Sequence, residues 1–152
     1  MKKFLTALAL ILSIASGTDT SRVVETHKNG NISMISYYRD TEQGLELIKQ
    51  ETFHFSGPKS MLGTFTNGLR DGTWIYWYEN GQKRLEGIYN NGFKDQLWTR
   101  WYRNGITATK YFYDSATLDG KVMEWHIDKE CWDSEGNLCE CGESWWNDCE
   151  KH

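Results

Sequence analysis

The stretch Asn67–Tyr89, NGLRDGTWIYWYENGQKRLEGIY, decides the fold. Shifted by 24 residues it nearly repeats: Trp74 falls on Trp98, Trp77 on Trp101, Tyr78 on Tyr102 and Asn80-Gly81 on Asn104-Gly105. Asn67-Gly68 falls on Asn91-Gly92 in the same register. Trp74–Tyr78 has the aromatic and β-branched content of a short strand. Glu79-Asn80-Gly81-Gln82 has turn chemistry, because Asn and Gly both accept positive φ. Lys83–Tyr89 is the returning strand, and Asn90-Asn91-Gly92 turns the chain into the next unit. Gly81 and Gly105 are therefore turn residues.

Successive hairpins of this kind predict an all-β fold, with repeated antiparallel β-hairpins in a single-layer, meander-like or solenoid-like sheet. Strict alternation would put Trp74, Tyr76 and Tyr78 on one side and Ile75 and Trp77 on the other. A spine of Trp77, Trp101 and Trp125 is then expected, with Trp74 and Trp98 as further structural rings. Gly63 and Gly87 sit inside strands, where a glycine marks a bulge or the close crossing of a ring.

The register extends backwards and forwards. Phe53, His54, Gly57 and Gly63 precede Trp77, Tyr78, Gly81 and Gly87 by 24, and Val122, Trp125 and His126 follow Trp98, Trp101 and Tyr102 by the same step. Asn29-Gly30 through Tyr38 reads as a further half unit, and Ile32–Tyr37 alternates as a strand does. Tyr38–Gly44 is polar and reads as a turn or loop. Leu45–Phe55 reads as strands, with a short helix over Thr41–Gln50 as the competing assignment. The repeat domain is placed at 27–127, after a flexible lead-in at 16–26.

Residues 1–15 have the form of a signal peptide. Lys2 and Lys3 precede an apolar run, Phe4–Ile14, that is shorter than a membrane span, and small residues follow it. The expected mature protein starts near residue 16 and is exported, to the periplasm or the exterior, without membrane insertion. The chain carries a net charge of -4. Its acidity is terminal: 128–152 holds eight acidic residues and two lysines. Such a tail argues against nucleic acid as a partner, and a basic protein is its physical complement.

Cys131, Cys139, Cys141 and Cys149 all lie in that acidic cap. In an exported chain they are candidate disulfides. Cys131–Cys141 with Cys139–Cys149, and Cys131–Cys149 closing around the other two, both stay open. Their spacing lacks the paired C-x2-C knuckles of a zinc site.

The pattern G-x-W-x-x-W/Y-Y-x-N-G, as in Gly72-Thr73-Trp74-Ile75-Tyr76-Trp77-Tyr78-Glu79-Asn80-Gly81, resembles the MORN variant repeat. More closely, it resembles bacterial proteins of the YwqK-family antitoxin. Gln96 stands where that pattern has Gly72. The resemblance covers 53–126 firmly and 29–138 loosely, and it implies a protein that neutralises a toxin by binding it. Its departure is the export signal, which suits an immunity-like protein of the envelope.

Catalytic patterns are missing from the sequence. There is no H-E-x-x-H, no C-x-x-C pair and no G-x-S-x-G. His54 and His126 occupy the slot of Tyr78 and Tyr102, which is a structural slot. Asp71 and Asp95 sit in turns, where Asp bonds its own backbone. Asp133-Ser134-Glu135-Gly136-Asn137 reads as a turn, since it lacks the closing acid of a calcium loop. No cofactor, metal or enzymatic activity is expected. The candidate partner-binding residues are Tyr76, Tyr78, Tyr102 and the pair Trp145-Trp146, because exposed aromatics beside turns are enriched at interfaces. The expected function is non-enzymatic binding of a protein, antitoxin-like or immunity-like. The alternative is a structural or envelope-associated scaffold without a toxin partner.

Overall fold

The computed structural model describes residues 20–118, 121–142 and 149. The signal segment 1–15 and the pair Trp145-Trp146 lie outside the described residues. The strands are β1 (Thr20–Thr26), β2 (Ile32–Thr41), β3 (Gly44–Phe53), β4 (Lys59–Thr66), β5 (Leu69–Arg70), β6 (Gly72–Trp77), β7 (Lys83–Asn90), β8 (Phe93–Trp101), β9 (Thr107–Leu118), β10 (Lys121–Trp132) and β11 (Leu138–Cys139). They form one open, antiparallel meander that follows chain order from β1 to β11, with the short β5 folded against β4. The fold is thus the all-β, non-barrel sheet that the repeat predicts.

At one end of the strands the hairpins close on Asn-Gly pairs. Asn67 and Gly68 have φ 51 and 76, and Asn91 and Gly92 have φ 48 and 89. Two successive positive φ values match the right-handed twist of the flanking strands. At the other end, one turn recurs at His27, His54, Tyr78, Tyr102 and Asp133. In each, the first residue's amide donates to the carbonyl four residues on, and the glycine three residues on donates back to it.

The buried rings are not those of the expected Trp77, Trp101 and Trp125 spine. Trp74 and Trp98 are 2% and 1% exposed, whereas Trp77 and Trp101 are half-buried and Trp125 is 38% exposed. The register slips at Thr52/Phe53, Tyr76/Trp77 and Arg100/Trp101, a bulge in each unit just before the turn. A bulge adds one residue to one strand and re-aims the side chains beyond it. The spine is instead Phe65, Trp74, Tyr89, Trp98 and Tyr113, each ring meeting the next edge-on at centroid distances of 5.2, 5.6, 4.9 and 6.4 Å.

Each buried indole lies over a glycine of the preceding strand. A Cβ on Gly63 would stand 2.3 Å from Trp74, and one on Gly87 would stand 2.1 Å from Trp98. The indole Nε1–H of Trp74 donates to the Thr64 carbonyl at 3.1 Å, and that of Trp98 donates to the Ile88 carbonyl at 3.0 Å. Of the two readings of these strand glycines, bulge or ring crossing, the crossing is present in both units, and at Gly87 the register also slips between Glu86 and Ile88.

Three further expectations change. The lead-in at 16–26 is not loop throughout, because Thr20–Thr26 pairs with β2 and Val24 faces Ile35. Backbone pairing satisfies the β2 edge whatever the polarity of the side chains. The segment Tyr38–Gly44 is strand up to Thr41, and Thr41–Gln50 contains no helix. The 24-residue step also ends after Tyr113. Where Asn91-Gly92 closes a hairpin, the next copy has Ser115-Ala116, so β9 continues to Leu118. The longer hairpin moves the next turn to Asp133, which leaves Trp125 and His126 within β10, opposite Asp114 and Tyr113.

The disulfides join Cys131 to Cys141 and Cys139 to Cys149. Cys131 is fully buried and stands opposite Cys139 across β10 and β11, so both bonds cap this end of the sheet.

Trp98→Ala is expected to lose about 3–5 kcal/mol. Trp125→Ala should stay within about 1 kcal/mol, as for other surface changes. Urea unfolding followed by far-UV circular dichroism separates the two, and equal losses would contradict this spine. In the same assay Gly87→Ala should lose about 1–3 kcal/mol or more through overpacking. Removing Cys131–Cys141 as a paired Ala variant should cost about 2–4 kcal/mol.

Candidate functional site

Residues paired across the strands share a face, which sorts the sheet into two chemically different surfaces. One face carries the row Met34, Thr52, Met61, Tyr76, Leu85, Arg100, Thr109 and Cys131. Beside it run Trp74 and Trp98 with their glycines. Cations cover these rings. The Arg70 guanidinium stands 4.5 Å from the Trp74 centroid and 5.3 Å from that of Tyr89, and it donates to the Tyr89 hydroxyl at 3.0 Å. One repeat later, Lys94 stands 5.2 Å from Trp98 and 4.8 Å from Tyr113, and it donates to the Tyr113 hydroxyl at 3.3 Å. Each indole thus has glycine backbone against one side and a cation near it, a cation–π arrangement.

The opposite face carries the row Ile35, Glu51, Leu62, Ile75, Glu86, Thr99, Lys110 and Glu130. Its charges are paired. Glu51 binds Lys49 at 2.8 Å and Lys59 at 3.4 Å, Lys83 binds Glu86 at 2.6 Å, and Lys110 lies 3.9 Å from Glu130. Between these pairs a shallow groove of ≈ 270 Å³ is lined by Thr73, Glu86, Ile88, Leu97, Thr99 and Trp101. Leu97 is 39% exposed there.

The predicted partner-binding residues divide. Tyr76 lies on the aromatic face, half-buried, and burial pushes its phenol up from the ordinary value. Tyr78 and Tyr102 belong first to the frame. The Tyr78 hydroxyl donates to the Trp101 carbonyl at 2.8 Å, and the Tyr102 hydroxyl donates to the Trp132 carbonyl at 2.9 Å. His27 and His54 repeat the contact through Nε2 to the carbonyls of Phe53 and Trp77, both at 3.0 Å. The structural role expected of His54 is therefore found, whereas the equivalent position near the C-terminus is taken by Asp133 rather than His126. Alongside, Asn29, Asn80 and Asn104 donate to the carbonyls of Phe55, Arg103 and Ser134.

Among the described residues no three His, Cys, Asp or Glu side chains converge as metal ligands. All four cysteines are in disulfides. Asp133 caps its own turn, as an Asx turn does. Its Oδ1 accepts from the amides of Glu135 and Asn137, and Asn137 Nδ2 donates to both carboxylate oxygens. Sequence reasoning missed Arg70 and Arg84, since an exposed Arg carries no positional signal until its ring is known. The only available hint was that Arg70 and Lys94 recur at the repeat distance.

Two carboxyls, Asp133 and Glu51, are held in their charged form by the fold. The Asn137 side chain and amide hold Asp133 below the ordinary carboxylate value. For Glu51, burial pushes the carboxyl up, but Lys49 and Lys59 together bring it below its ordinary value. A depressed folded-state pKa contributes stability that is complete above the unfolded value, about 3.9 for Asp and 4.3 for Glu. That contribution is lost as pH falls through the folded value. Thermal melts taken downward from about pH 6 should therefore stay level until near pH 4 and then fall. The paired variant Asp133→Asn and Glu51→Gln should flatten that limb, and an unchanged acid limb would refute the assignment. Compared with known proteins, the chain matches no family model, and no curated protein matches it.

Proposed function

We propose that this chain is an exported, non-enzymatic, protein-binding repeat protein that neutralises a toxic partner by covering it, as an antitoxin or immunity protein does. The observation that carries the binding reading is the one-layer sheet. Its second face turns outward, with Leu97 39% exposed beside the half-buried Ile75, Ile88 and Trp101. The backbone beneath is held by hydrogen bonds at the turns and by the buried indoles. Apolar side chains on such a preorganised frame bind with little ordering cost.

Export is supported by the Lys2-Lys3 start with its apolar run and by two disulfides, which persist in oxidising compartments. The neutralising role is supported by the MORN variant motif and its likeness to YwqK-family antitoxins. A scaffold role is the second reading. It is favoured by the outer edge of β1, which no strand pairs among the described residues. Such an edge offers backbone groups for strand-to-strand assembly.

The test is capture from the exported fraction under non-reducing conditions, with the mature protein and with Leu97→Glu side by side. The expected result is one stoichiometric partner that is toxic when produced alone and whose affinity falls at least about tenfold (about 1.4 kcal/mol) with Leu97→Glu. A harmless partner, or self-assembly through β1, would favour the scaffold. Absence of any partner would overturn the binding reading.

A further inference from the structure

We infer that the groove on the aromatic face is a carboxylate site that receives an extended, acidic segment of the partner protein. The inference rests on the protein-binding reading above. The groove has a volume of ≈ 360 Å³, and its polar lining is Gln50, Thr52, His54, Ser60, Arg70 and Arg84. Trp74 and Tyr76 line it as well, and no Asp or Glu does. A lining without acids stands out in a chain with 21 acidic and 17 basic side chains.

The two arginines are set apart from the cations of the other face. Lys49, Lys59 and Lys83 each hold a glutamate there, whereas neither Arg70 nor Arg84 forms an ion pair with a described carboxylate. Both guanidiniums lie near rings of one strand. Arg70 is 4.5 Å from the Trp74 centroid, and Arg84 is 5.7 Å from that of Tyr76. A guanidinium beside a ring keeps in-plane N–H donors for a carboxylate, which two parallel bonds then satisfy. The ring also restrains the side chain before binding, so less rotamer freedom is lost.

The spacing selects the occupant. The Trp74 and Tyr76 centroids are 6.3 Å apart. In an extended peptide, side chains at i and i+2 point the same way about 6.8 Å apart, at about 3.4 Å per residue. Acidic residues at i and i+2 therefore repeat at about the spacing of the two rings beside which Arg70 and Arg84 lie. A free carboxylate brings one charge to the two guanidiniums, where such a segment brings two.

The test uses acetylated, amidated heptapeptides titrated into the full mature chain and followed by tryptophan fluorescence and calorimetry. One set carries Glu at i and i+2, a second Glu at i and i+1, and a third Gln at i and i+2, with acetate as the free carboxylate. The i, i+2 acidic peptide is expected to bind at least tenfold tighter than either other peptide and to weaken as salt rises. Arg84→Gln should weaken it about tenfold with an unchanged melting temperature, and Arg70→Lys should weaken it in the same direction.

Equal affinity for the Glu and Gln peptides, no effect of either substitution, or saturation by acetate at the same concentration would overturn the inference. Dimerisation of the chain that the acidic peptide reverses would assign the groove to a second copy and overturn the partner assignment. If the captured partner binds the wild type and Arg84→Gln equally, the carboxylate site fails while the protein-binding reading stands.

Discussion

The structure depends on an indole laid flat over a glycine. Trp98 occupies the space where Gly87 would carry a side chain, and Trp74 does the same over Gly63. The contact solves the main difficulty of a one-layer sheet, which has no second layer to bury its apolar side chains. Laying the ring across its own neighbour removes it from water without one. The polar edge of each indole is satisfied in the same move by a carbonyl one residue past the glycine. Each unit therefore supplies the ring and its predecessor supplies the bed, so that no unit is complete alone.

At the turn end a different chemistry ties the same units together. Side chains of His27, His54, Tyr78 and Tyr102 each reach the carbonyl just before the next turn. Histidine and tyrosine serve alike because the contact asks only for a ring with a polar tip at the right reach. The sheet is thus clamped along two lines, apolar through its centre and hydrogen-bonded along one end. The disulfides close the end where the repeat is poorest and β11 is only 2 residues long. That frame leaves a surface with matched charges and a surface of cation-covered rings, which is how one sheet presents two kinds of contact.

The repeat, the Asn-Gly turns and the ring-bearing glycines were legible in the sequence, because each rests on local chemistry: turn residues, alternation, and the absence of a side chain. The site was much less legible. Tyr76 was picked out by exposure-prone aromatic composition and does line a groove, but Tyr78 and Tyr102 carry the same signal and are spent on the frame. What separates them is the bulge between Tyr76 and Trp77, a register event between two strands that leaves no trace in residue type. Arg70 and Arg84 acquire meaning only once the rings beside them are placed.

The sequence alone determined the all-β repeat, its 24-residue step through the centre and the position of the turns, since a hairpin is specified by neighbours along the chain. It left open which of two alternating sets of tryptophans is buried, where the step fails and how the cysteines pair. Tertiary structure decided those. The glycine beds at Gly63 and Gly87 took Trp74 and Trp98 as the buried set, and the missing turn at Ser115-Ala116 lengthened the last hairpin and left Trp125 38% exposed. That longer β10 set Cys131 opposite Cys139, and the bonds run from Cys131 to Cys141 and from Cys139 to Cys149. Each is a relation between strands, fixed by what packs across the sheet and invisible to residues read in order.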